Sequence, residues 1–441
     1  MAGFWKSSAV NGRSYKVYCD VSAIIVFIGL IFNMSELIKI SLVLFLILIL
    51  LRKKMNIGYV LLIGSSALFL LYRMDVSRIA VTIQKTVTSS IALKLLLSLS
   101  LIRVLELVLR ENEILATMMS AAKMLFKKRK AIIISMPMLI GMLPSLGGAY
   151  FSAPMVKEAT AGLSISQEEK AFINYWFRHP WEFILPLYPG VLLASAVSNI
   201  PLYSLIKVNM VGAILLLATG FIFAMKGVEK GAHTDETNGN HIDYQNRRRV
   251  LKRELASFLP IGIVLALVVF LHMELHYALL ITIIPLLVIY RYNPVDVLRV
   301  TRHGFAREII VMIFGIMLFK ETMEASGAVN NLSSFFVEQN IPLLPIICIL
   351  PFLTGMLTGI TVGFVGSTFP LLISMTGGAS LAHITLAFTA GFIGVLLSPV
   401  HLCLVLTKEY FKADLWGIYK KTLPASAIVF IAAIIEYMAL R

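Results

Sequence analysis

Charge is scarce in this chain, and acid is scarcer than base. Asp, Glu, Lys and Arg make up 14% of its 441 residues, hydrophobic residues make up 58%, and mean hydropathy is +0.86. A soluble domain carries roughly 25% charged residues, because its surface has to meet water, so the soluble class is excluded. Cysteine is nearly missing. Cys19, Cys348 and Cys403 form no CxxC pair and no even set, which leaves neither a disulfide framework nor a cysteine-built metal site to infer. Cys348 and Cys403 lie in apolar runs and read as small packing residues. No GxGxxG, P-loop, HExxH or GxSxG pattern occurs, so the sequence points to no enzyme and no bound cofactor. Period-two alternation is missing from the apolar runs, which removes a membrane β-barrel.

What remains is a series of apolar stretches of roughly 15 to 22 residues, the length a helix needs to cross about 30 Å of hydrocarbon. Backbone groups cannot stay unpaired in lipid, so an all-α membrane protein is expected. The first half offers Leu37–Leu51, Ile57–Tyr72, Ile91–Leu109, Trp181–Val197 and Val208–Met225. The second offers Phe258–Leu271, Tyr277–Tyr290, Ile309–Phe319, His383–Leu406 and Leu423–Leu440. That makes about ten spans. Residues 1–36 form an N-terminal extension, either a short extra helix or residues upstream of a natural start at Met34. Residues 37–225 and 255–441 are the halves, and 226–254 are a polar linker.

A net charge of +15 could suggest nucleic acid, but the basic residues cluster in short loops, as they do on the cytoplasmic side of a membrane. The clusters are Arg52–Lys54, Phe126–Lys130, the linker, Arg291–Arg307 and Lys408–Lys421. Ser198–Tyr203, His272–His276 and Gly327–Pro342 contain no Lys or Arg and are expected outside. This predicts a prokaryotic inner-membrane protein with a cytoplasmic linker and an external C-terminus. The segment with Arg73, Arg78 and Lys85 fits only as an interfacial helix.

Letters recur between the halves. Pro137–Leu143 (PMLIGML) matches Pro351–Leu357 (PFLTGML), Tyr72-Arg73 matches Tyr290-Arg291, and Arg103 with Glu106 matches Lys320 with Glu324. Pro180 matches Pro399, and Leu202–Lys207 matches Leu415–Lys420. The offsets run only from 213 (415 − 202) to 219 (399 − 180), which marks an internal repeat. Five spans per half is an odd number, so the second repeat is expected to be inverted relative to the first. That arrangement is a signature of secondary transporters.

Each half also carries two interrupted segments. One is rich in proline and glycine and reads as a re-entrant hairpin, with tips at Gly141–Gly148 and Gly355–Thr368. Unwound backbone there, with hydroxyls from Ser145, Thr358, Thr361, Ser367 and Thr368 and close approach at Gly147, Gly148 and Gly363, suits a small ligand or ion. Ser145, Thr358, Thr361 and Ser367 are the candidate Na⁺ ligands. The other is a span broken at proline, Asn174–Glu182 (NYWFRHPWE) and Ser398–His401 (SPVH). It would bring Arg178, His179, Glu182, Ser398 and His401 to the hairpin tips. Ionisable groups inside a membrane are functional unless they lie at its edge.

The runs GMLPSLGGAYFSAPMVKEA, TGMLTGITVGFVGSTFPLL and GVLLSPVHLCLVLTKEYF resemble an uncharacterised prokaryotic integral membrane family. It is of the domain-of-unknown-function kind, within the ion-transporter superfamily of dicarboxylate and citrate carriers, arsenite and gluconate permeases and a sodium/proton antiporter branch. The resemblance spans Leu37–Arg441. It implies inverted repeats, each with a re-entrant hairpin and a broken helix, and Ser-Asn-Thr hairpin tips that bind carboxylate and Na⁺. The tips here read Pro144-Ser145-Leu146 and Gly366-Ser367-Thr368, so only Ser145, Ser367 and Thr368 carry over. The expected function is secondary transport of a small, organic anion coupled to Na⁺ or H⁺, in a lipid bilayer and as a homodimer. The alternatives are a cation/proton antiporter, in which Glu182 and His401 exchange the proton, and an intramembrane enzyme or scaffold.

Overall fold

The computed structural model describes residues 36–53, 55–114, 117–118, 129–142, 148–229, 255–328 and 342–440. The N-terminal extension, most of the linker and of the loop after residue 328, and Ser145 and Gly147 in the first hairpin tip lie outside the described residues. Within them the fold is helical throughout, with no strand. The first half comprises α1 (Glu36–Arg52), α2 (Ile57–Leu71), α3 (Val76–Thr88), α4 (Ser90–Glu111), α5 (Arg129–Gly141), α6 (Gly148–Ala159), α7 (Gln167–Trp176), α8 (Trp181–Ile184), α9 (Pro189–Ser198) and α10 (Leu202–Glu229). The second comprises α11 (Leu259–Val269), α12 (Leu275–Ile289), α13 (Pro294–Gly304), α14 (Arg307–Ala325), α15 (Leu343–Thr358), α16 (Thr361–Met375), α17 (Leu381–Leu396), α18 (Leu402–Phe411) and α19 (Leu415–Leu440).

Among the described residues, three helical stretches are long and apolar enough to cross a membrane: Gln167–Ser198, Leu202–Ala224 and Leu415–Leu440. Phe45, Leu70, Phe270, Val288, Ile431 and Ile435 are each more than half exposed. Outward apolar faces of this extent belong against lipid rather than water.

Helix types recur in one order along both halves, and so do the turns between them. Arg73 and Arg291 hold φ of 48° and 54°, Gly162 and Gly377 hold 75° and 69°, and Asn199 and Lys412 hold 56° and 52°. Left-handed backbone is costly for residues other than glycine, so its return in Arg, Asn and Lys at matched places marks equivalent chain reversals. Packing is reciprocal. α2 lies on α14 while α12 lies on α4, α3 lies on α14 while α13 lies on α4, and α9 meets α16 while α18 meets α6. Small residues permit the closest of these approaches: a Cβ added to Gly315 of α14 would stand 2.8 Å from the Gly58 Cα of α2.

Three expected boundaries differ from the structure. α10 runs on to Glu229, so the linker begins after that residue and not at residue 226, where the composition turns polar. α19 starts at Leu415, well before the apolar run at Leu423. The span expected at Trp181–Val197 is itself broken over Leu185–Tyr188, where Pro186 and Pro189 deny the helix two N–H donors.

The basic segment that fitted the positive-inside pattern poorly is the amphipathic helix α3, opened by Asp75 accepting from the Arg78 N–H at 2.8 Å. Its Lys85 Nζ reaches Glu321 of α14 at 2.6 Å, and that carboxylate holds the Lys85 ammonium above its usual range. A lysine raised in the fold contributes stability below its unfolded value, about 10.4, and loses it as pH rises through the folded one. Lys85→Met should therefore lower Tm at neutral pH, with the difference closing as pH rises past the ordinary lysine range. Because Lys85 is mostly exposed, the loss should be about 1 kcal/mol at most. Thermal unfolding of both proteins across pH checks this.

Candidate functional site

The second hairpin turns more sharply than its sequence suggests. α15 ends at Thr358, and its C-cap Gly359 takes φ 65°. Ile360 is extended, and α16 begins at Thr361. The long unwound tip expected over Gly355–Thr368 is thus a two-residue turn, and most of those residues are helical. Ser367 and Thr368 lie within α16, buried, and donate their hydroxyls to Gly363 O at 2.6 Å and Phe364 O at 2.7 Å. Thr358 donates to Thr354 O at 2.8 Å. Thr361 packs on Gly190 at the start of α9, where an added Cβ would come within 2.8 Å of its Oγ1. Gly363 is buried against Thr358, and Gly148 is the buried first residue of α6. Of the four candidate Na⁺ ligands, Ser145 lies outside the described residues, and the hydroxyls of Thr358 and Ser367 donate to carbonyls of their own helices.

The broken spans do converge. In the first half the chain leaves the helix at Phe177, passes Arg178, His179 and Pro180, and re-forms as the single turn of α8. In the second it leaves α17 at Leu397 and re-forms at Leu402, with His401 as N-cap. His179 Nε2 and His401 Nε2 lie 3.1 Å apart, and both rings are buried. Glu182 Oε1 stands 3.7 Å from His179 Nε2. Ser398, fully buried, donates to Met356 O at 2.6 Å. Arg178 is 4% exposed, and its Nη1 has no hydrogen-bond partner.

Each hairpin presses on one break. Gly141 at the end of α5 lies against Arg178, where an added Cβ would come 2.8 Å from the Arg178 Cα. Gly359 lies against His401, where a Cβ would come 3.0 Å from its backbone nitrogen and Cα. So Arg178, His179, Glu182, Ser398 and His401 share one place, while Thr361, Ser367 and Thr368 do not join it directly.

Sequence reasoning missed several members. Tyr175 donates to Leu396 O at 2.9 Å and sets its ring edge-on to His179, centroids 4.6 Å apart, and to His401 at 5.7 Å. Tyr188, the last residue of the interruption between α8 and α9, donates to Gly141 O. Asn174, fully buried, donates to Ala149 O at 2.9 Å and Thr407 Oγ1 at 3.0 Å, tying α6 and α18 to α7. Cys403 brings its sulfur within reach of both imidazoles. The only signal in the sequence was His401 two residues before it, because the other imidazole, His179, lies across the repeat. Phe183, Phe388 and Phe392, all buried, wall the cluster.

The imidazole tautomers follow from geometry. His179 Nδ1 is 2.6 Å from Tyr175 O and His401 Nδ1 is 2.6 Å from Gly359 O. A carbonyl only accepts, so each Nδ1 carries a hydrogen. On neutral rings both Nε2 atoms would then turn lone pairs on each other, which is repulsive at 3.1 Å. The single thiol hydrogen of Cys403 can serve only one of them. A positive particle between the two nitrogens satisfies both.

A cavity of about 410 Å³ opens elsewhere among α4, α9 and α12 and holds Lys94, Ser195, Glu274 and His276. Lys94 Nζ and Glu274 Oε1 are 2.6 Å apart there. It shares no lining residue with the histidine cluster, though α9 runs from one toward the other.

Residues 34–440 match the model of one family, described as "Protein of unknown function (DUF401)". The chain belongs to that family. No curated protein matches it.

Proposed function

We propose that this protein is a secondary active transporter of a small anion, built from two inverted-topology repeats of five spans and related to the ion-transporter superfamily. The observation that carries the proposal is the meeting of matched helix breaks from both halves at one buried polar place, the histidine pair 3.1 Å apart beside Arg178. Broken helices at corresponding positions of two repeats are where such carriers bind their cargo. Burying charge in a membrane is costly and persists where it serves transport. Arg178, with a buried N–H left unpartnered, is the residue to hold the anion, since a guanidinium offers a fork of donors and keeps its charge. Counting α7–α9 and α17–α18 as single spans and α3 and α13 as surface helices gives five crossings per half.

The coupling ion is H⁺ or Na⁺. The histidine pair favours H⁺, because the facing nitrogens accommodate a single proton between them. The same pair supports a second reading, a cation/proton antiporter. Thermal-shift screening of purified protein against carboxylates, inorganic oxyanions, Na⁺ and Li⁺, followed by uptake in proteoliposomes, separates the two. An anion at 100 times its dissociation constant should stabilise the fold by about 2.7 kcal/mol. Uptake of that anion should then follow an imposed H⁺ or Na⁺ gradient. Stabilisation by cations alone, with no anion moved, would leave the antiporter reading in its place.

A further inference from the structure

The cluster has the parts of a metal site. We propose that His179 Nε2, His401 Nε2 and Cys403 Sγ bind a thiophilic divalent cation, with Zn²⁺ the ion that fits. All three donor atoms lie within 4.8 Å of one another, and they come from the two halves of the chain. In tetrahedral zinc, with Zn–N near 2.0 Å, two nitrogen ligands stand about 3.3 Å apart. The histidine nitrogens are already at 3.1 Å, so a zinc ion placed between and above them needs little movement of either ring.

Orientation argues the same way. A metal-bound histidine almost always donates its other ring N–H to a carbonyl or carboxylate, which fixes the tautomer and aims the lone pair. Both rings do this here, His179 to Tyr175 O and His401 to Gly359 O, each at 2.6 Å. A histidine that merely packs in a core has no need to turn a lone pair on another one. Cys403 supplies the soft ligand that selects zinc over magnesium or calcium. As a thiolate it contributes one negative charge. The Glu182 carboxylate, 3.7 Å from His179 Nε2, contributes a second, so the divalent charge is balanced and Arg178 stays free. Three protein ligands leave one tetrahedral position open, as in zinc sites that exchange a water or a ligand. Because the ligands come from both breaks, a bound ion would pin the two halves in the arrangement seen here. The inference does not depend on the protein being a transporter.

The test uses the purified full chain and Co²⁺, a zinc surrogate whose tetrahedral and thiolate-bound states absorb characteristically. One equivalent of Co²⁺ should bind, with both intense ligand-field bands and a sulfur-to-cobalt charge-transfer band, and Zn²⁺ should displace it. Cys403→Ser should lose the charge-transfer band and Cys348→Ser should keep it. His179→Ala and His401→Ala should each weaken Co²⁺ binding at least tenfold while eluting as monodisperse protein. His401→Gln, closer in shape, serves if the alanine variant does not fold. A wild-type protein without the charge-transfer band overturns the site. So does a band that survives Cys403→Ser, or an affinity unmoved when either histidine is replaced.

Discussion

Arg178→Gln should reduce anion uptake by about 100-fold or more. Removing a charge-assisted hydrogen bond from a buried site costs about 3 kcal/mol, and each 1.4 kcal/mol is about tenfold. Glutamine keeps two N–H donors and much of the length, so the expected loss comes from charge and from the guanidinium fork. The same variant should lose the thermal stabilisation that the anion gives the parent protein, while its Tm without ligand stays close to the parent value or rises. That combination separates an anion ligand from an arginine that holds the fold together. Uptake and anion-dependent stabilisation both preserved in Arg178→Gln would remove this residue from the binding site.

Gly359→Val should have an effect of similar size through geometry alone. Gly359 closes the turn between α15 and α16 at φ 65°, a conformation that costs an L-residue about 1–2 kcal/mol. A side chain there would also start 3.0 Å from the His401 backbone and 3.2 Å from Ser398 Oγ. The turn would have to withdraw, and with it the Gly359 carbonyl that accepts the His401 Nδ1–H. The variant is expected to insert in the membrane, unfold several degrees lower and transport at background level. Gly262→Ala in α11, where nothing lies within 4 Å of the added carbon, should match or exceed the parent in stability. Transport by Gly359→Val at more than about half the parent rate would show that this turn does not set the site.

Much of this was legible in the sequence, and the reason is physical. Proline and glycine disrupt helices whatever their surroundings, so the hairpins and the breaks at Pro180 and Pro399 could be located from residue type alone. Arg178, His179, Glu182, Ser398 and His401 followed because ionisable and polar groups beside such a break are costly in lipid. What could not be read was where hydroxyls point. Ser367 and Thr368 looked like tip ligands, but once α16 begins at Thr361 their nearest acceptors are carbonyls four residues back, and they bond to those. Cys403 was invisible for a different reason. An apolar context suits a packing cysteine as well as a soft ligand, and only the folded chain brings it beside a histidine 224 positions away (403 − 179). The second interruption, at Pro186 and Pro189, was hidden inside a run whose hydropathy alone would make a span.

The proposed carrier requires that the two halves lie in opposite orientations and so bring their breaks together from opposite sides. Arg73 and Arg291 occupy the same left-handed turn in the two halves, with φ of 48° and 54°. Single cysteines at these positions, in a chain with Cys19, Cys348 and Cys403 replaced by serine, can be labelled with a membrane-impermeant maleimide in intact cells and in inverted vesicles. The two positions should react from opposite faces, Arg291→Cys from the cytoplasmic one. Labelling of both from the same face would contradict inverted repeats and, with them, the proposed carrier.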